Sequence, residues 1–468
     1  MFSKCRTTLL SVCWILPIAL SSTVFASALN EQQQQQLMQL KSVSLEASTA
    51  FDIVESLTTE VGARMVGTPG QKKSEAWAQA KMHELGFDKV WTEEVTSVKW
   101  HRGEVSAQIT APYPQKLVAL ALGGSVGTNG NTLQAHVAHF DTLDDLQAAE
   151  DNSLNGKIVF VSYKMQRHID GDGYGKAVGA RVVGAVVAAQ KGASAFVMRS
   201  VGTDTNRHAH TGVMRYQEGV EKIPAVAISN PDADLLVRQI KRGQSVTMAL
   251  NLSAGNNIEE VKALNVIGEI TGSEAPQEVV VMGAHLDSWD VGTGAIDDGV
   301  GVGITLAAVK HILDLPQRPK RSIRVILFAA EEVGLHGAKG YVDARDSKLA
   351  DHVIGAEWDF GNGKIYKLSP GVGPSALNTI RELAEYLSPM GVALTTDNIA
   401  KGQSDMSALG NLGMPAINFN PDGNDYFDYH HTENDTLDKV DQHALKHNTA
   451  VYTMFAYFAA QSAVNFRQ

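Results

Sequence analysis

The sequence predicts an α/β protein: a mostly parallel or mixed central sheet with helices on both faces, plus an inserted second α/β unit. Three observations carry this. Residues 278–284 and 322–330 are largely apolar runs, which read as strands buried on both faces. A helical pattern over 301–313 lies between them, so strands and helices alternate from about residue 259 onward. Residues 116–258 alternate too, but with a different texture and no cluster at metal-ligand spacing.

Taken in order, the chain opens with Lys4 and Arg6, an apolar run over 9–20 and the small residues Ser21, Ser22, Thr23 and Ala26. This reads as a signal peptide cleaved after Ala26, with Ala28 as the alternative. The run is too short for a comfortable membrane span, so an exported protein, periplasmic or secreted, with no stable membrane anchor after cleavage is expected. Both cysteines, Cys5 and Cys13, fall inside it. Leu10-Ser11-Val12 is a poor lipid-attachment context for Cys13. The mature chain then has neither a disulfide nor a catalytic thiol. Losing Lys4 and Arg6 takes the net charge from −11 to −13, and no basic patch stands out, which excludes a nucleic-acid partner.

The five glutamines Gln32 to Gln36 run into Leu37, Leu40, Val43, Leu45 and Ala50 near helical spacing, the start of a solvated helix. A Gly- and Pro-containing loop follows over 62–70. A second helix is predicted from about 74 to 85, closed by Gly86. Residues 90–98 and 104–110 alternate as strands. In the insert, strands are predicted over 158–161, 195–198 and 223–228, and an Ala-, Val- and Gly-rich helix over 175–191 ends at Gly192.

Sites in open α/β sheets sit at the carboxyl ends of strands. His285 and Asp287 follow the first buried run, and Glu331 and Glu332 follow the second. Adjacent carboxylates repel unless a cation or proton lies between them, and a metal ion resolves the conflict. An aspartate two residues beyond a histidine can hold the second imidazole nitrogen and fix the tautomer. Asp297 and Asp298 precede the helix over 301–313; one carboxylate of such a pair can bridge two ions, and the other suits a helix start. Asp359 follows the apolar stretch 353–356, and His430 and His431 lie in Tyr429-His430-His431-Thr432-Glu433-Asn434-Asp435-Thr436.

His285-Leu286-Asp287-Ser288, Asp297-Asp298-Gly299, Glu331-Glu332, Asp359 and His431-Thr432-x-x-Asp435-Thr436, in that order, resemble the zinc aminopeptidase family that also contains the glutamate carboxypeptidases. The resemblance is densest from Asp287 to Gly299 and from Tyr426 to His431, and it extends from about residue 44 through the rest of the chain. It implies two zinc ions per chain. Asp297 would bridge both, His285 and Asp359 would complete one, and Glu332 and His431 the other. Glu331 would be the general base and Asp287 would stand behind His285, with His430 and Asp298 left outside the ligand set. The insert resembles the protease-associated domain of many members. The implied division is 1–26 signal peptide, 27–115 first part of the catalytic domain, 116–258 insert and 259–468 catalytic zinc-peptidase domain. The implied activity is exopeptidase cleavage of dipeptides or short peptides, of the carboxypeptidase or dipeptidase type. Aminopeptidase action is the alternative, and a non-catalytic binding protein on the same fold is a third reading. A homodimer is implied by the resemblance alone. Asp405 in Gln403-Ser404-Asp405, Tyr426, Tyr429, His208, His210 and Arg64 are weaker candidates, for ordering, packing or cleft roles.

Overall fold

The computed structural model describes Met1 and residues 27–255, 258–346 and 348–468. The expected signal peptide, with its cleavage point and both cysteines, lies outside the described residues apart from Met1.

Two eight-stranded mixed sheets organise the described residues. The first runs, in spatial order, Lys89–Lys99, Glu259–Ile270, Arg321–Phe328, Ala275–His285, His352–Glu357, Ala416–Pro421, Ile365–Gly371 and Ala393–Leu394. Its centre, from Arg321–Phe328 to Ala416–Pro421, is parallel, while the strands flanking that centre pair antiparallel. Parallel neighbours need a crossover, and the helix Val300–Leu313 supplies it between Ala275–His285 and Arg321–Phe328. That helix is buried along nearly its whole length and packs against the helix Gln442–Gln461, which explains its apolar composition on every face. The second predicted strand stops at Phe328 rather than 330, because Ala330 adopts φ 55° and the chain turns there. Glu331 and Glu332 therefore leave the sheet on a sharp bend at its carboxyl edge.

The glutamine run lies in the helix Glu31–Glu46, opened by a reciprocal cap in which Gln33 N–H donates to Asn30 Oδ1 and Asn30 N–H donates to Gln33 Oε1. The next helix, Pro69–Leu85, begins earlier than the expected residue 74: Thr68 caps it and Pro69 suits the first position. Gly86, at φ 92°, closes it as expected.

The second sheet runs Gln115–Leu117, Val105–Ala111, Thr247–Leu252, Leu133–Phe140, Ile158–Val161, Ala195–Arg199, Ala225–Ile228 and Ala119–Ala121. Val105–Ala111 pairs with both Gln115–Leu117 and Thr247–Leu252. The boundary expected at 115/116 falls inside the strand Gln115–Leu117, at one edge of this sheet. Period-two alternation identifies a strand but not the sheet that it joins. The helix Asp172–Gln190 precedes Ala195–Arg199 and packs on it.

Candidate active site

The carboxyl edge of the first sheet gathers the predicted residues around Asp297. His285 is the last residue of its strand, and its Nε2 lies 3.0 Å from Asp297 Oδ1 and 3.6 Å from Asp359 Oδ1. Asp359 sits two residues beyond the strand His352–Glu357. On the opposite side, His431 Nε2 lies 3.0 Å from Glu332 Oε2 and 3.4 Å from Asp297 Oδ2. Asp297 therefore turns one oxygen toward each histidine. His430 stacks on His431 with ring centroids 3.5 Å apart, and its Nε2 is 3.7 Å from Asp297 Oδ2.

These residues fit a metal. His285, Asp297 and Asp359 bring ligand atoms within 4.8 Å of one another, as do Asp297, His430 and His431. Asp297 Oδ2 and Glu332 Oε1 are buried with no hydrogen-bond partner among the described residues, although buried polar atoms are ordinarily paired. Imidazole nitrogens with carboxylate oxygens are donors that suit zinc. A third group, Asp204, His208 and His210, is also compact. There, however, His210 Nε2 and Asp204 Oδ2 are 2.6 Å apart, a hydrogen-bond length. Two ligands on one tetrahedral zinc, at bonds of about 2.0–2.1 Å, would lie roughly 3.3 Å apart.

The electrostatics call for positive charge. Burial, then the neighbouring Asp359, pushes Glu331 up to about 8. Burial also raises Glu332, with Asp297 adding to it, and raises Asp359. Burial alone would lower His285, but the carboxylates of Asp287, Asp297 and Asp359 outweigh it and hold the ring well above the usual histidine range. Burial and the adjacent His430 drive His431 well below that range, leaving it neutral and able to ligate.

A supporting shell fixes the geometry. The Asp287 carboxylate lies 3.7 Å from His285 Nδ1, too far for a hydrogen bond, so the expected contact is corrected: Nδ1 lies 3.1 Å from the Asp287 carbonyl oxygen instead. The carboxylate accepts the N–H groups of Glu331 at 3.0 Å and Glu332 at 3.3 Å, so it pins the glutamate bend. Asp298 accepts from His285 N–H and from Gly301 N–H, joining strand end to helix start as expected of it. A Cβ at Gly301 would lie 2.3 Å from Asp298 Oδ2, so glycine is required there. Asp435 accepts the N–H groups of Ile296 and Asp297. Arg64, fully buried, donates to the carbonyls of Leu286, Thr293 and Gly294. Ser404 Oγ donates to Glu331 Oε1 at 2.6 Å, whereas Asp405 is buried behind it with neither oxygen hydrogen-bonded among the described residues.

A cavity of about 390 Å³ opens over Asp297, Glu331, Glu332, Asp359 and His431. Tyr426 lines it; Tyr429, His208 and His210 do not. Its far wall carries Tyr174 and Arg181, seven residues apart on one face of Asp172–Gln190, and Arg215. Arg181 donates to Tyr174 Oη at 2.6 Å, its Nε has no partner, and no carboxylate lies within 4.0 Å of it among the described residues. Sequence reasoning missed Arg181, although a charge in the middle of the Ala-, Val- and Gly-rich run 177–189 was a signal for it.

A buried cluster of two imidazoles and several carboxylates, at the carboxyl edge of an α/β sheet and under an open cavity, defines a metal-dependent hydrolase. Residues 265–456 match peptidase family M28 and contain all seven predicted site residues. Mouse carboxypeptidase Q is 33% identical over 411 residues, covering 88% of this chain and 85% of that protein. The crystal structure of a peptidase M28 precursor from Shewanella amazonensis SB2B is 50% identical, covers 93% of this chain and 98% of that one, and superposes with a TM-score of 0.91. The zinc aminopeptidase BSAP from Bacillus subtilis, at 21% identity and TM-score 0.60 over 90% of this chain and 97% of that one, shares the fold. The chain belongs to peptidase family M28 and is a metallo-exopeptidase.

Proposed function

We propose that this chain is an exported exopeptidase of the carboxypeptidase or dipeptidase type that cuts short peptides with two zinc ions. His285 and Asp359 would hold one ion, Glu332 and His431 the other, and Asp297 both. Zinc bound there supplies Lewis-acid polarisation of the scissile carbonyl and acidification of water. The chain's own groups do the rest. Glu331, the general base, takes the proton of the attacking water and passes it to the leaving amine. Asp287 holds the backbone of Glu331, and Ser404 orients its carboxyl group.

The observation that carries the choice of substrate end is Arg181. A guanidinium that is 5% exposed, with one neutral acceptor and no carboxylate partner, is costly unless an anion joins it. Its Nη1 lies 3.4 Å from His431 Nδ1. That nitrogen carries a proton when Nε2 faces Asp297 and Glu332, because it also lies 3.2 Å from the Thr211 carbonyl. Nη1 is therefore free to donate. The carboxylate of a substrate's C-terminal residue would accept from it one residue away from the metals, with Arg215 nearby on the same wall. The similarity to mouse carboxypeptidase Q supports the same side of the choice.

The test is alanyl-alanine with both ends free, N-acetylated or C-amidated, with and without chelator. The free C-terminus is expected to be required, and Arg181→Met to raise KM for the free acid far more than for the amide. Hydrolysis of the amide as fast as the acid makes the enzyme an aminopeptidase instead. Full activity after exhaustive chelation overturns the zinc reading.

A further inference from the structure

His431 faces the metal cluster from a backbone with φ 60°, a left-handed conformation that a histidine adopts at some cost and holds only when its surroundings impose it. What imposes it comes from the other sheet. His210 and Thr211, in the connection between the strands Ala195–Arg199 and Ala225–Ile228, meet His430 and His431 at three points. His210 Nδ1 lies 2.8 Å from the His430 carbonyl, Thr211 N–H donates to the His431 carbonyl at 3.0 Å, and the Thr211 carbonyl is 3.2 Å from His431 Nδ1. The third contact also fixes the imidazole so that Nε2 is the nitrogen presented to Asp297 and Glu332.

The two clamp residues are themselves anchored. Asp204 Oδ2 meets His210 Nε2 at 2.6 Å, and Asp204 is held by the Asn206 N–H. His210 N–H donates to Ser200 Oγ, and Thr211 Oγ1 donates to the Ala121 carbonyl and accepts from Arg102. The His210 ring packs over Gly202, where a Cβ would lie 2.3 Å from its Cε1.

We infer that His210, oriented by Asp204, is a positioning residue for the metal ligand His431, so that the second sheet completes one half of the metal site. This rests on the reading of His431 as a zinc ligand. Removing His210 withdraws the contact to the His430 carbonyl and leaves only Thr211 to hold the strained 430–431 backbone, which can then relax and weaken the aim of the imidazole at Glu332. Among the described residues, the side of the site formed by His285 and Asp359 has no hydrogen bond to the clamp, and it should keep its ion.

The experiment is zinc analysis of the full chain, equilibrated against a graded series of chelator buffers, for wild type, His210→Ala, Gly202→Ala and His210→Asn. Cobalt-substituted samples give absorption spectra that report on each equivalent. Asn places its Nδ2 donor near the position of the imidazole Nδ1, so it restores the bond to the His430 carbonyl. Wild type is expected to hold two equivalents. His210→Ala and Gly202→Ala should each weaken one of them about 10–100-fold and leave the other unchanged, as loss of a partner behind a ligand does. His210→Asn should recover most of that loss. Two equivalents at wild-type affinity in His210→Ala overturn the inference. So does a third wild-type equivalent that disappears with His210, or a His210→Ala defect that Asn leaves unrescued while the metal-free chain melts early. If the wild type never holds two ions, it is the zinc reading that fails, not the clamp.

Discussion

Replacing Arg64 by methionine is the sharpest structural perturbation available near the site. The guanidinium is 0% exposed and reaches the carbonyls of Leu286 at 2.5 Å, Thr293 at 2.7 Å and Gly294 at 2.9 Å. Those carbonyls belong to the loop between His285 and Asp297, so Arg64 fixes the path of the chain between two predicted ligands. Methionine keeps most of the stem and none of the donors. Three buried acceptors left unpaired, at about 1–3 kcal/mol each, give roughly 3–9 kcal/mol. The loop can turn some carbonyls toward water, and removing one member of a buried charge network costs about 3–5 kcal/mol, so the lower half of that range is expected. Urea unfolding of the zinc-loaded protein is the assay, reading a lower midpoint at unchanged slope. Arg64→Lys should recover little, because a point charge cannot fork to three carbonyls. A loss below about 1 kcal/mol, within the ordinary scatter of point substitutions, would refute the claim that this guanidinium organises the loop.

Other perturbations separate the neighbouring groups. His431→Ala should lose one zinc equivalent per chain in metal analysis, while His430→Ala, which removes a stacking partner, should keep both; the reverse result would exchange their roles. Zinc binding to the metal-free chain should release protons, because Glu332, Asp359 and His285 all have raised proton affinity there and Glu331 is pushed up to about 8. Ligands bind zinc deprotonated, so apparent affinity should climb from pH 6 toward 8. Calorimetry at pH 6.5 in buffers of different ionisation enthalpy measures the number released, and zero protons would contradict it. Glu331→Gln should retain zinc and lose about 10²–10⁴-fold in kcat; a loss under tenfold removes it as the base.

The sheet centre and most of the residues gathered at its carboxyl edge were legible because both depend on local pattern. A strand buried on two faces is largely apolar, and polar residues directly after it stand at the sheet edge. That pattern alone puts His285, Glu332 and Asp359 at the sheet edge. What pattern alone could not give was partner choice. Asp287 was expected on an imidazole and instead holds two backbone N–H groups, because the bend at Ala330 brings Glu331 and Glu332 back over it. The strand Val105–Ala111 alternates as predicted yet joins the second sheet, where one partner, Gln115–Leu117, follows closely and the other, Thr247–Leu252, lies more than a hundred residues away. Arg181 and His210 act across the two sheets, and no local spacing encodes such contacts.

In the proposed mechanism two zinc ions would sit on either side of Asp297. Diffraction from zinc-loaded crystals on both sides of the zinc absorption edge measures this directly. Two anomalous peaks about 3.5–4 Å apart are expected, one bounded by His285, Asp359 and Asp297 and the other by Asp297, Glu332 and His431. A single peak, or a second peak held by His430 or by Asp204 and His208, would contradict it.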